Sequence, residues 1–87
     1  MLSIEDIRKA LELSEFADGD MAQDVEQVVY RRDIFEYGDE KDIDVHIDIE
    51  LEYGDFLELH EDDPAFDFLS KLCEPLTEAD EFILYSK

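Results

Sequence analysis

The chain has only seven lysines and arginines, against twenty-seven aspartates and glutamates, in 87 residues. That scarcity argues against a nucleic-acid binder, which needs a basic face to meet phosphates. A single cysteine, Cys73, cannot close an internal disulfide; beside Leu72 it reads as a small apolar core residue in a reducing, intracellular setting. No apolar run approaches the roughly 20 residues that span a bilayer. The first residues, MLSIEDIRKALEL, lack the basic and apolar stretches of a secretory signal, so a cytoplasmic location is expected. Also missing are a Gly-rich phosphate loop, a CxxC pair, a nucleophile elbow and an HExxH helix. Carboxylate pairs abound, but among so many acids no one pair is specific. A catalytic pair also needs a concave, partly dry site, for which so short a chain has little room. Neither catalysis nor a cofactor is expected.

What remains is acid. The net charge of −20 far exceeds the roughly 2 to 8 that keeps a small domain soluble. Such self-repulsion destabilises a compact state, so something other than stability favours it. Aliphatic and aromatic residues still make up 45% of the chain, enough for one core and too many for a disordered tail. One domain spanning residues 1–87 is expected.

The apolar pattern predicts an α+β fold, a small antiparallel sheet with helices covering one face. Ser3 with Asp6 reads as a capping box before a helix over about 4–15, carried by Ile4, Ile7 and Leu11. FADGDM is a turn. Asp20 then reads as the cap of a second helix from 21 to about 30, from Met21, Val25, Val28 and Val29 at helical spacing, although Val28, Val29 and Tyr30 are also good strand formers. RDIFEYG reads as a short strand. Ile43, Val45, Ile47, Ile49, Leu51 and Tyr53 alternate strictly with Asp42, Asp44, His46, Asp48, Glu50 and Glu52, which predicts a strand with one buried and one wet face. FLELH, at 56–60, is the next strand. The two Tyr-Gly-Asp triplets become the turns of a three-stranded meander. A three-residue second loop would place Leu51 beside Leu57, Ile49 beside Leu59, Glu50 beside Glu58 and Asp48 beside His60. Which of Ile34 and Phe35 faces inward is open. Asp63 and Pro64 start a helix with a Phe68, Leu69, Leu72 stripe, and Pro75 stops it. After a capping-like Thr77 and Asp80, residues 82–85 read as a final strand.

Asp44, His46 and Asp48 fall on one strand face about 6.7 Å apart, with His60 within reach from the next strand. The set suits a divalent cation, but the two histidines read instead as surface residues softening an acid ladder, and no metal site is expected. DGDMAQDVEQ lacks the glycine and the final glutamate of a calcium loop.

The acid run DEKDIDVHIDIELEYGD has a further property. Alternate carboxylates on a strand recur about every 6.7 Å, and each DNA strand displays a regular line of phosphates, one per about 3.4 Å of axis with a longer step along the backbone itself. In size, charge and this acid run, the chain resembles the DNA-mimic anti-defence proteins of phages and mobile elements, the small acidic anti-CRISPR and anti-restriction type. The resemblance implies a protein–protein inhibitor in the host cytoplasm. It would occupy the nucleic-acid site of a basic protein such as a CRISPR effector, restriction enzyme or nuclease, and touch neither nucleic acid nor membrane itself. The partner-binding residues expected are Asp42, Asp44, Asp48, Glu50, Glu52, Asp55 and Glu58, with Glu61, Asp62 and Asp63 beside them. The alternative is an immunity protein or antitoxin that neutralises one basic toxin or nuclease. The plainest reading is a soluble acidic scaffold domain.

Overall fold

A computed structural model of the chain describes residues 2–14, 18–72 and 81–87. Its first element is a helix, α1 (Ile4–Leu13), with the capping box the sequence predicts. The Asp6 backbone N–H donates to Ser3 Oγ at 3.3 Å, and the Ser3 N–H donates to Asp6 Oδ2 at 3.0 Å. Each bond satisfies a donor that a helix start leaves open. The backbone bond from Ser3, helped by its hydroxyl, holds the Asp6 carboxyl below its ordinary pKa of 3.8, because these bonds favour the ionised form. Ile7, Ala10 and Leu11 form the buried stripe.

The helix expected from 21 to 30 does not form. Residues Gly19–Asp24 make a 3-10 turn capped by Asp18 rather than Asp20, with the Asp20 N–H donating to Asp18 Oδ1 at 3.0 Å. From there the chain runs straight into β1 (Val25–Tyr37), a 13-residue strand that absorbs the short strand expected at RDIFEYG. The reason lies in Val28, Val29 and Tyr30, all buried although successive strand residues point to opposite faces. A strand covered on both faces loses its alternation, and its valines then imitate a helical period.

The remaining strands are β2 (Glu40–Leu51), β3 (Phe56–His60) and β4 (Glu81–Ser86). They complete a four-stranded antiparallel sheet in the order β3-β2-β1-β4. The fold is therefore α+β with the meander expected, and β4 is the expected final strand. Tyr37 faces Glu40 across a two-residue turn, Gly38-Asp39, in which only the glycine has positive φ, at 63°. That is the type II′ arrangement, whose twist matches the strands it joins.

The second hairpin departs from expectation by two residues. Ile49 faces Leu57 and Ile47 faces Leu59, so the loop runs over five residues, 51–55, instead of three. Leu51 faces Val25 on the other side, and the loop is closed by the Leu51 N–H donating to the Asp55 carbonyl at 2.8 Å. A shift of two keeps every side chain on its face. It changes the cross-strand neighbours, however: Asp48 faces Glu58, Glu50 faces Phe56, and His46 faces His60.

The third predicted helix is α2 (Pro64–Leu72), begun by Asp63, whose Oδ1 accepts from the Ala65 N–H at 2.9 Å. Its buried residues are Ala65, Phe66 and Leu69, with Phe68 half-buried; Leu72, expected in the stripe, is the helix's last residue and half-exposed. The expectations for Cys73, Pro75, Thr77 and Asp80 lie outside the described residues. The two helices share one core with the inner sheet face, where Ile7, Leu11, Val28, Ile47, Ile49, Leu69 and Leu84 are fully buried. Each such side chain contributes about 1.5–3 kcal/mol through burial. Among the described residues, no helix is long and apolar enough to cross a membrane.

The long strands outreach this core. Beyond Arg31 and His46, residues 33–44 pair only with each other among the described residues, forming a two-stranded arm. Ile34 lies on the inner side opposite Ile43, which decides its face, and Phe35 is outward opposite Asp42. Ile43 was expected in the core and is 53% exposed; Tyr53, also expected inward, sits exposed in the loop.

Candidate functional site

The face of the sheet opposite the helices carries the acids. Across β1 and β2 it pairs Tyr37 with Glu40, Phe35 with Asp42, Asp33 with Asp44, Arg31 with His46, and Val29 with Asp48. Glu58 and His60 extend it on β3, and Glu81 extends it on β4 beside Arg31. Of the acids expected to bind a partner, Asp42, Asp44, Asp48, Glu50 and Glu58 do share this face. Glu52 and Asp55 stand at one end, in the β2–β3 loop. Glu61, Asp62 and Asp63 lie in the connection between β3 and α2.

The structure divides these residues by what they already touch. Asp48 Oδ2 accepts an ion pair from Arg31 Nε at 2.9 Å and is largely buried. Glu52 pairs with Lys87. Asp63, besides capping α2, accepts from Ser14 Oγ at 3.1 Å and so ties α2 to the end of α1. These three are engaged by the fold. Asp42 and Asp44 are exposed, and β1 places Asp33 directly opposite Asp44. Among the described residues, no lysine or arginine pairs with Asp33, Asp39, Glu40, Asp42 or Asp44; the arm's one Lys–Glu pair, Lys41 with Glu36 at 3.7 Å, is exposed. Like charges facing across a ladder are unfavourable, so this arrangement is a cost to the fold.

Two features were not legible beforehand. Phe35 and Tyr37 stack on the arm with ring centroids 6.5 Å apart, both exposed among the acids. His46, expected on the surface, is 7% exposed. Reading Val28–Tyr30 as a helix end hid the strand that brings Arg31 beside it. The rings of His46 and His60 lie 6.4 Å apart, and His60 is exposed as expected. Two sets of side chains bring potential metal donors within 4.8 Å of one another: His46 with Asp48 and Glu58, and His46 with Asp33 and Asp44. Elsewhere, an open hollow of about 250 Å³ lies between Glu26, Glu50, Leu51, Gly54, Asp55 and Phe56.

No protein family, curated protein or solved structure matches the chain. Its function is argued from its own residues.

Proposed function

We propose that this is an inhibitory binding protein of the cytoplasm, which presents carboxylates to the phosphate-gripping surface of a basic, nucleic-acid-handling protein such as a CRISPR effector or restriction enzyme. One observation carries the reading: Asp33, Asp42, Asp44 and Glu40 line the outer face of the arm, exposed and without a lysine or arginine partner among the described residues. The fold gains nothing from that array, and like charges across a sheet are mildly destabilising. A surface whose lysines and arginines are set for phosphates would meet carboxylates recurring about every 6.7 Å along the strand. The attraction is long-ranged and is screened over about 8 Å at physiological salt. The protein acts by occupying the site, without chemistry of its own and without touching nucleic acid.

Competition tests this. Immobilised full-length chain at low salt is expected to retain a basic protein that duplex DNA displaces. A variant carrying Asp33→Asn, Asp42→Asn and Asp44→Asn, shown by circular dichroism to be folded, is expected to lose most of that retention. Undiminished retention by the variant, or indifference to competing DNA, overturns the reading.

The stacked Phe35 and Tyr37 favour a second reading on the same surface, an immunity protein or antitoxin for one basic toxin or nuclease. Aromatic anchors ringed by polar residues concentrate binding energy in specific interfaces, and phosphate mimicry does not require them. Phe35→Ala discriminates: loss of binding through that change alone supports the cognate-partner reading, and unchanged binding supports mimicry.

A further inference from the structure

We propose that the outer face holds one divalent transition metal ion of the zinc class, bound by His46 Nε2, Asp48 Oδ1 and Glu58 Oε1. The proposal does not depend on the function argued above.

It begins with His46. On the outer face, where Val29 is also buried, His46 is 7% exposed, its ring enclosed between Arg31 on β1 and His60 on β3. A buried polar ring needs partners, yet Nδ1 has no hydrogen bond. Three carboxylates surround the ring at 3.5 Å (Asp48 Oδ1 to Nε2), 3.6 Å (Glu58 Oε1 to Nε2) and 3.8 Å (Asp44 Oδ2 to Nδ1). All three exceed the roughly 2.7–3.2 Å of an N–H···O bond. The two at Nε2 match a different arrangement. When nitrogen and oxygen donors sit about 2.1 Å from a tetrahedral zinc ion, they lie about 3.4 Å from each other.

The neighbours of these donors fit ligand roles. Arg31 holds Asp48 by Oδ2, which leaves Oδ1 for the ion, and that oxygen is buried without a hydrogen-bond partner. Arg31 is itself braced by Glu81 at 3.5 Å. His60 Nε2 lies 3.5 Å from the second oxygen of Glu58. With the ion on Nε2, the proton of His46 sits on Nδ1, and Asp44 Oδ2, at 3.8 Å, is the carboxylate nearest to it. The competing set on Nδ1 offers only the exposed Asp33 and Asp44, with no such bracing. One imidazole and two carboxylates suit zinc and its first-row neighbours, whereas calcium and magnesium favour all-oxygen shells of six or more donors. Three protein donors leave one tetrahedral position for water.

The test uses the full chain stripped of metal by chelator. Titrated with zinc chloride in a calorimeter, it is expected to bind one ion saturably, and cobalt chloride is expected to give the visible bands of a four-coordinate ion. Glu58→Gln, a change at a half-exposed side chain, is expected to weaken zinc binding about tenfold or more. Asp42→Asn and Glu50→Gln, on the same face but outside the site, are expected to leave it unchanged. His46→Gln is expected to abolish binding, and if that variant does not fold, Glu58→Gln decides alone. Zinc binding weakened equally by the control changes would show diffuse attraction to acids and overturn the proposal. So would a saturable site indifferent to Glu58→Gln, or no saturable binding at all.

Discussion

The two halves of the β1–β2 hairpin share a sequence style and differ in almost everything else. In the body half, Val28 faces Ile49 and Tyr30 faces Ile47 beneath the two helices, and the isoleucines have no exposed surface. In the arm, Ile34 faces Ile43 in the same inward alternation, yet they are 45% and 53% exposed. Length explains the difference. A 13-residue strand extends about 44 Å at about 3.4 Å per residue, while the 10-residue α1 covers about 15 Å. Alternation in a sequence marks a strand; it does not mark where the covering helix stops.

The comparison breaks most sharply at isoleucine. Ile47→Ala or Ile49→Ala is expected to cost about 2–5 kcal/mol, because each leaves a cavity in a closed core. Ile43→Ala is expected to cost less than about 1 kcal/mol, since water already reaches that side chain. Chemical denaturation of the variants measures both; equal costs would mean that the arm is covered after all.

What the sequence made legible follows the same division. The capping box at Ser3, the Asp63-Pro64 helix start, both Tyr-Gly-Asp turns and the alternation of β2 are local signals, and the structure contains each. The path of β1 was hidden because Val28, Val29 and Tyr30 are buried on both faces, a fact set by neighbours distant in sequence. The second-hairpin register was missed because Leu51 is engaged by Val25 on β1, which no reading of β2 and β3 alone includes. For the candidate site, the shared face of Asp42, Asp44, Asp48, Glu50 and Glu58 followed from period two. The partners that engage Asp48, Glu52 and Asp63 are Arg31, Lys87 and Ser14, and only tertiary structure brings those together.

Smaller effects sharpen the contrast. Gly38→Ala, at a φ of 63°, is expected to cost about 1–2 kcal/mol and to loosen the arm's amide-exchange protection before the body's. The same change from Asp to Asn is expected to act with opposite signs in the two halves. Asp48→Asn costs about 1 kcal/mol by taking the charge from the half-buried Arg31 pair. Asp33→Asn gains a few tenths of a kcal/mol by relieving Asp44. Thermal melts of the two variants decide it, and equal shifts of one sign would erase the distinction. Added salt is expected to raise the melting temperature of the wild-type chain and to do so less for Asp33→Asn.

The smallest expected effect is at the helix cap. The pKa of Asp6 is lowered in the folded chain, so its contribution is present above the ordinary value of 3.8 and is lost as pH falls through the lower folded value. In Asp6→Asn that part of the acid-side slope is expected to vanish. Melting curves collected through this acid range compare the two chains, and identical slopes would show that the cap is not formed in solution.

Among the described residues the arm is also a ribbon with two open edges, since the pairing with β3 and β4 stops at His46 and Arg31. An uncovered strand edge is a template for another chain, and proteins blunt such edges with charge. Here every copy carries the same sign along its ribbon, so neighbouring molecules in a concentrated solution hold one another apart. That protection is set by pH. Near the isoelectric point of about 4.1, the carboxylates that keep the ribbons separate are largely discharged. The edges left unpaired among the described residues, with Ile34, Phe35, Tyr37 and Ile43 alongside, are then expected to join into sheets that span many molecules.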